Sequence, residues 1–473
     1  MSHDRQVYLL DPLKLPPETI AVTFAKTSRS PQSFRQIAAE LTEARSAEFN
    51  EKWVVGYGHS SVAEHAVLHL AVENISRLAV ETLQSNRLAS YTEKSTRYQT
   101  WEPDAFYIPS EFAQTDLEKR YVQVCRQLFS MYQTCMDRSF AFLEDHESPN
   151  ANESKALREH RLRSQAVDAC RFLLPASALA NVGMTINARA LEHAIGKMLS
   201  HPLAEVQQIG MEIKTAATSS VPTLLKYAQE IPYMQKVSAC FASPTLSPQS
   251  PVSDWCELVH YDHDGLDKVL AAALYREQKN GYAQCMEWVR SLSSSDRQNL
   301  LRSLLADVDA HTIPARELEA LTFTFDLTID QGAYYEVKRH RMMTQTPQHL
   351  TANLGYATPR LITDAGVQPE YDSAMQAARA CYHQLAQVHP QAAAYIVPNG
   401  FNRRLLLTLN LRSAMHFIRL RSASNAHFSV RRVAQRMAEQ LSTVFPELEP
   451  FPGRNVTESA LTVECNFFSS TCS

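Results

Sequence analysis

The stretch LLPASALANVGMTINARALEH, residues 173–193, returns later in the chain as IVPNGFNRRLLLTLNLRSAMH, residues 396–416. Pro175, Asn187, Arg189 and His193 recur in identical register as Pro398, Asn410, Arg412 and His416. Four matched positions at fixed spacing mark an internal repeat, which takes precedence over any local reading. In each copy the Arg and His lie four apart, on one face of a helix. The openings VYLLDPLKLPPETIAVTFAK and CELVHYDHDGLDKVLAAALY match more loosely.

Each copy then carries an alternating stretch. TFTFDLTI (322–329) sets Phe323, Phe325, Leu327 and Ile329 against Thr, Thr, Asp and Thr; LHLAV (68–72) alternates likewise. Both read as half-buried strands. Helical patterns cover 115–145, 157–172, 188–216, 370–388 and 411–443. FASPTLSPQSPVSDW (241–255) is rich in Pro and Ser without periodicity, as a linker would be. The pattern predicts an α+β fold in two tandem copies, each a small, mostly antiparallel sheet with long packed helices. The copies span 1–240 and 256–455, joined by a linker at 241–255, with a tail at 456–473.

Composition narrows the function. The chain has 473 residues, a net charge of −4 and 45% hydrophobic content, an ordinary globular profile without the basic surface that nucleic acid demands. No run of about 18 apolar residues predicts a membrane span, and the opening lacks the apolar core of a signal peptide. Nine cysteines without a CxxC pair read mostly as buried thiols of a cytoplasmic protein.

Two segments carry the chemistry. QSNRLASYTEKSTRY (84–98) is too polar for a core strand and rich in Ser and Thr. Its two arginines and short hydroxyls suit either a solvated loop or an anion-binding one. KRHRMMTQTPQHL (338–350) concentrates Lys338, Arg339, His340 and Arg341 behind a strand, a cationic cluster fit to anchor phosphate or a reduced flavin, or else a solvated basic turn. GHSSVAEH (58–65) groups His59, Ser61, Glu64 and His65, but in no HExxH order and with no second ligand cluster, so no metal site is expected.

GHSSVAEH, a strand, then NRLASYTEKSTRY resembles the flavin-dependent thymidylate synthase family, whose hallmark runs from RHR to a loop ending Ser-x-Arg-Tyr. The repeated LP…TINAR and VP…LTLNLRSAMHFIRLR segments resemble the same family's downstream block. Each copy departs differently from the pattern. In the first, Ser85 and Asn86 replace the leading Arg and His, while Arg87, Ser90, Tyr91, Glu93, Ser95, Arg97 and Tyr98 match. In the second, Arg339, His340 and Arg341 stand intact, but His349 and Thr351 replace the loop Ser and Arg. Arg171 matches a substrate-binding arginine whose counterpart is Ala394; Arg421 matches another whose counterpart is Met198.

The resemblance implies reductive methylation of dUMP to dTMP, with methylenetetrahydrofolate giving the carbon and FAD, reduced by NADPH, giving the hydride. It implies no enzyme nucleophile; arginines and flavin polarise the base. Glu93, Ser95, Arg97 and Arg171 would bind the nucleotide, and Arg339, His340, Arg341 and Arg421 would serve catalysis. His59, Ser61, Glu64, Arg87, Asn187, Arg189, His193, Asn410, Arg412 and His416 would hold the cofactor. A family tetramer with shared sites further implies a homodimer of duplicated chains, with a site composed from both copies, the number per chain left open. A flavoprotein for another pyrimidine nucleotide, and an inactive nucleotide- or flavin-binding homologue, are the alternatives.

Overall fold

The computed structural model describes residues 6–28, 30–56, 60–95, 97, 101–242, 254–309 and 311–469. His59, Tyr98 and most of the expected linker lie outside the described residues. The chain forms two compact units that are not the two sequence copies: the second takes Ser95–Ala105 and Asp116–Ala176 from the first half and joins them to Ser250–Ser473.

The first unit holds strands β1 (Val67–Ser76), β2 (Ala89–Glu93) and β3 (Leu179–Asn187), antiparallel in the order β1-β3-β2. The second holds β4 (Cys256–Tyr261), β5 (Thr322–Asp330), β6 (Thr344–Pro347) and β7 (Asn402–Asn410) in the order β4-β5-β7-β6. Register repeats with topology. Val67 faces Asn187 as Thr322 faces Asn410, and Ser90 faces Thr185 as Thr344 faces Thr408. This pairing sets Ser85, Asn86 and Arg87 structurally equivalent to Arg339, His340 and Arg341. The extra strand β4 has no counterpart among residues 6–10, where Val7 and Leu9 stand exposed.

The repeat itself supplies the central strands. LANVGMTIN and NRRLLLTLN alternate buried and open positions, and each ends in an Asn whose Oδ1 accepts the backbone N–H three residues on: Ala190 in one case, Ser413 in the other, both at 2.9 Å. Asn187 and Asn410 thereby cap the helices Ala188–Leu199 and Leu411–Arg421. The helical patterns at 188–216 and 411–443 each break in two. Pro202 follows the first helix and bars continuation into Ala204–Thr218; the Ser- and Asn-rich SASN ends the second before Phe428–Val444. The segment at 84–98, judged too polar for a core strand, does contain the edge strand β2, where polar side chains remain solvated.

A hydrogen bond that pins the helix after β1 or β5 is kept with its partners exchanged. In the first unit Ser76 is the N-cap and donates to Glu205 at 2.5 Å. In the second Asp330 is the N-cap and accepts from Ser429. The expected tail is packed: Phe467 stacks on Phe428 with ring centroids 5.2 Å apart, and Arg432 lies 4.2 Å over Phe468. Cysteines 125, 135, 170, 256, 285 and 381 are buried thiols, Cys240 is exposed, and Cys465 is disulfide-bonded.

Inside the second unit the two halves meet at the repeat. Pro175 and Pro398 form an antiparallel bridge; Ala176 N–H donates to the Val397 carbonyl at 2.9 Å, and Gly400 N–H to the Phe172 carbonyl at 2.8 Å. The helices Asp116–His146 and Gln368–Ala386, one from each half, pack together behind this seam. Gly400 is needed for close approach: an added Cβ would meet Met375 Cε and Tyr371 Oη at 2.9 Å and Phe172 Cδ1 at 3.2 Å. Gly400→Ala should therefore cost about 1–3 kcal/mol by overpacking, measured as a lower urea midpoint with unchanged slope.

Candidate active site

Beside the seam, four expected site residues converge from distant sequence positions. Arg171, 4% exposed, follows the helix Lys155–Cys170. Arg421 ends the helix Leu411–Arg421. Both donate to one carboxylate that sequence reasoning missed: Glu336, 6% exposed, on the helix Gln331–Val337 after β5. Arg171 Nη2 lies 3.3 Å from Glu336 Oε1, and Arg421 Nη1 2.8 Å from Oε2. Burial alone would raise the Glu336 pKa, but Arg171 and Arg421 outweigh it and hold the carboxyl below its usual range. Burial conversely works against the charge of both guanidiniums.

Arg421 also reaches the RHR segment. Its Nε–H donates to His340 Nε2 at 2.9 Å, which fixes His340 as the neutral Nδ1–H tautomer. Burial, then Arg421, His416, Arg339 and Arg341, push the His340 pKa down to about 3. His416 lies edge-on to His340 at 5.6 Å between ring centroids, one helical turn beyond Arg412. Arg339 is exposed and Arg341 half-buried.

Arg97 comes from the loop after β2. Its Nε and Nη2 fork onto Asp168 at 2.9 and 2.8 Å, and Nη1 donates to the Asn425 carbonyl at 3.1 Å. The Ser95 hydroxyl accepts the Arg97 N–H at 3.1 Å and shapes the loop. Fully buried His427 donates from Nε2 to the Asp168 carbonyl at 3.0 Å and accepts the Ser429 N–H at Nδ1. Burial and neighbouring Arg171 keep it neutral, with its pKa well below the usual value. The arrangement can bind a polyanion through guanidiniums from two directions and present a neutral imidazole beside them.

The first unit holds most of the remaining expected residues. Glu93 pairs with Arg77 at 3.0 Å and accepts from Gln84, which makes it part of a buried ion pair. Ser61 is exposed on the short turn Ser60–His65. Glu64, Arg87, Asn187, Arg189 and His193 line a cleft of about 540 Å³. Arg189 pairs with Glu64, and in the second unit Arg412 pairs with Glu319 at 2.6 Å. Glu319 was also missed, although a Glu three residues before the strand in each half was a readable signal. Among the described residues no cluster of three His, Cys, Asp or Glu could hold a metal ion, and no helix is long and apolar enough to cross a membrane.

Duplicated sheets and a shared arginine site define an α+β protein built from one repeated unit. The family model described as thymidylate synthase complementing protein matches residues 9–223 and again 257–447. The chain belongs to that family. It is 29% identical over 432 residues to a UPF0159 protein of Chlamydia muridarum, covering 87% of this chain and 82% of that protein. A UPF0159 protein of Thermoplasma acidophilum is 26% identical over 448 residues, 86% of this chain and 89% of its own. A flavin-dependent thymidylate synthase of Geobacter sulfurreducens is 28% identical over 216 residues, 45% of this chain and 82% of its own, the span of a single copy.

Buried neutral histidine carries a pH signature. Between about 3 and 6.5 the unfolded chain binds more protons at position 340 than the folded one. Stability therefore rises with pH across that window and is lost as pH falls through it. Nitrogen-detected NMR should show His340 as the Nδ1–H form, with no titration between pH 5 and 8.

Proposed function

We propose that the protein carries out flavin-dependent reductive methylation of dUMP to dTMP, with methylenetetrahydrofolate as carbon donor and NADPH as reductant, at one site drawn from both halves. Membership of the family supports the reaction class. The observation that carries the composite site is the Arg171–Glu336–Arg421 bridge, in which one arginine comes from each half of the chain and both lie in one compact unit.

In this reading Arg97 and Arg171 take the nucleotide phosphate, with Ser95 setting the loop. Arg421, oriented by neutral His340, donates to the uracil carbonyl where charge develops. Arg339, Arg341 and Arg412 form a cationic flank, with the His416 imidazole, kept neutral by burial and neighbouring Arg419, as a further donor beside them, the set that an anionic dinucleotide cofactor requires. Bound there, FAD would supply the hydride. Asn410 contributes by fixing the helix that carries Arg412 and His416. The duplicated chain would pair with a second copy as a homodimer.

Glu336 favours a second reading. Its carboxylate already sits on two of the arginines an anion would use, as befits a homologue that binds nucleotide or flavin without turnover. Tritium release from 5-labelled dUMP, with folate, NADPH and FAD present, separates the two: release supports the synthase, and none above background contradicts it. Arg97→Ala should weaken dUMP binding by about 1.5–3 kcal/mol with flavin retained. Arg412→Ala should strip flavin from the purified protein, read as loss of the visible spectrum; undiminished flavin would remove the cofactor assignment.

A further inference from the structure

The family match ends at residue 447, but the chain runs on through the helix Ala460–Phe467, which packs on the helix Phe428–Val444. The residues that receive it belong to one copy. Ser429 and Glu205 hold equivalent places, each bonded to the N-cap of the helix after β5 or β1. By that equivalence Phe428, Arg431 and Arg432 stand where the first copy has Ala204, Gln207 and Gln208. The two glutamines make only local bonds, Gln207 to the His201 carbonyl and Gln208 to Glu212, each at 2.7 Å. In the second copy Phe467 stacks on Phe428, Arg431 lies 4.8 Å from the centre of the Phe467 ring, and Arg432 pairs with Glu464 at 3.8 Å. An aromatic ring and two guanidiniums thus accompany the tail, and it packs on all three.

One of these contacts leads to Arg97. Glu458, in the tail, pairs with Arg431 at 2.8 Å, and both side chains are largely buried. Arg431 Nη1 donates to the Ser424 carbonyl at 2.8 Å. The next carbonyl, that of Asn425, accepts from Arg97 Nη1 at 3.1 Å. The tail ties the same loop a second time, where the Asn455 N–H donates to the Ser422 hydroxyl at 2.9 Å. Two guanidiniums therefore grip adjacent peptide groups, and the carboxylate that balances Arg431 comes from the tail. Burial works against the Arg431 charge, as does neighbouring Arg97, while Glu458 and Asp168 support it. Without Glu458, a buried cation would stand beside Arg97 with Asp168 as a counter-charge within reach. Asp168 is the carboxylate that Arg97 holds by its fork. Competition for it would loosen that fork.

We propose that Glu458 is a positioning residue for the arginine site: by holding Arg431 on the Ser424 carbonyl it reserves Asp168 for Arg97, and so sets the guanidinium that takes the nucleotide phosphate. The effect on binding rests on the reading of Arg97 as a phosphate ligand; the hold of Glu458 on Arg97 does not. The sign of the effect is diagnostic. A carboxylate that merely lies near an anion site repels the anion, so its removal strengthens binding. Removal of a positioning carboxylate weakens it.

Calorimetric titration with dUMP of the full chain carrying Glu458→Gln, Arg97→Ala or both tests it, alongside NMR of the Arg97 Nε–H signal without ligand. Glu458→Gln keeps the shape of the side chain and removes its charge. It should weaken dUMP binding about tenfold in the otherwise wild-type chain and less than about twofold in the Arg97→Ala background, as for residues coupled in one network. Glu458→Asp, which restores the charge, should bring binding back to within a few-fold. In the ligand-free protein Glu458→Gln should shift the Arg97 Nε–H signal and hasten its exchange with solvent. Unchanged or tighter dUMP binding by Glu458→Gln, or equal losses in both backgrounds, would overturn the proposal. If the wild type binds dUMP no better than Arg97→Ala does, the nucleotide reading of Arg97 falls and the NMR measurement decides alone. A shifted signal then sustains the hold of Glu458 on Arg97, and an unchanged one overturns it.

Discussion

Glu336 held between Arg171 and Arg421 is the contact on which the second unit turns. Taking three charged groups out of water is expensive, and their mutual attraction compensates only when geometry is good and every group is engaged. Removal of any one would leave buried charge uncompensated. The triad therefore holds the segment after the helix Lys155–Cys170, the helix after β5 and the end of the helix Leu411–Arg421 to a single arrangement. Because Arg171 belongs to the first half of the chain and its partners to the second, the halves cannot be treated as independent modules.

Duplication explains how such a contact arises. The Pro175–Pro398 bridge joins the repeat to itself, and strands and helices follow in the same sequence order in each copy. Around that seam the copies diverged by exchange as well as by loss. Ser76 and Glu205 in one unit do the work of Asp330 and Ser429 in the other, with donor and acceptor sides reversed. Arg97 and Arg171 stayed in one half while the RHR segment and Arg421 stayed in the other. A chain that always carries both copies presents each to the other at high effective concentration, so neither needs a full set.

Much of this was legible in the sequence. The repeated Pro, Asn, Arg and His fixed the duplication because identical spacing survives where composition drifts. The alternation in TFTFDLTI predicted β5 because one face of it is solvated. The central strands were harder to see: LLLTL reads as a continuous apolar run, and Arg403 is buried within the same strand, so the period of two is blurred. β2 escaped because an edge strand needs little hydrophobicity. Asn187 and Asn410 were read as cofactor ligands; each also caps its helix through Oδ1, a role that Asn before a helix signals directly. Glu336 sits in the apolar-looking QGAYYEV, and nothing local reveals that two distant arginines converge on it. Such convergence depends on the first half's loop and helices packing into the second unit, which is a tertiary outcome.

The central claim is that one nucleotide site per chain is assembled from both halves. A calorimetric titration of the flavin-loaded full chain with dUMP measures it most directly, through the stoichiometry. The account predicts a single nucleotide per chain, with one transition in the isotherm. Two nucleotides per chain, one for each sequence copy, would contradict it.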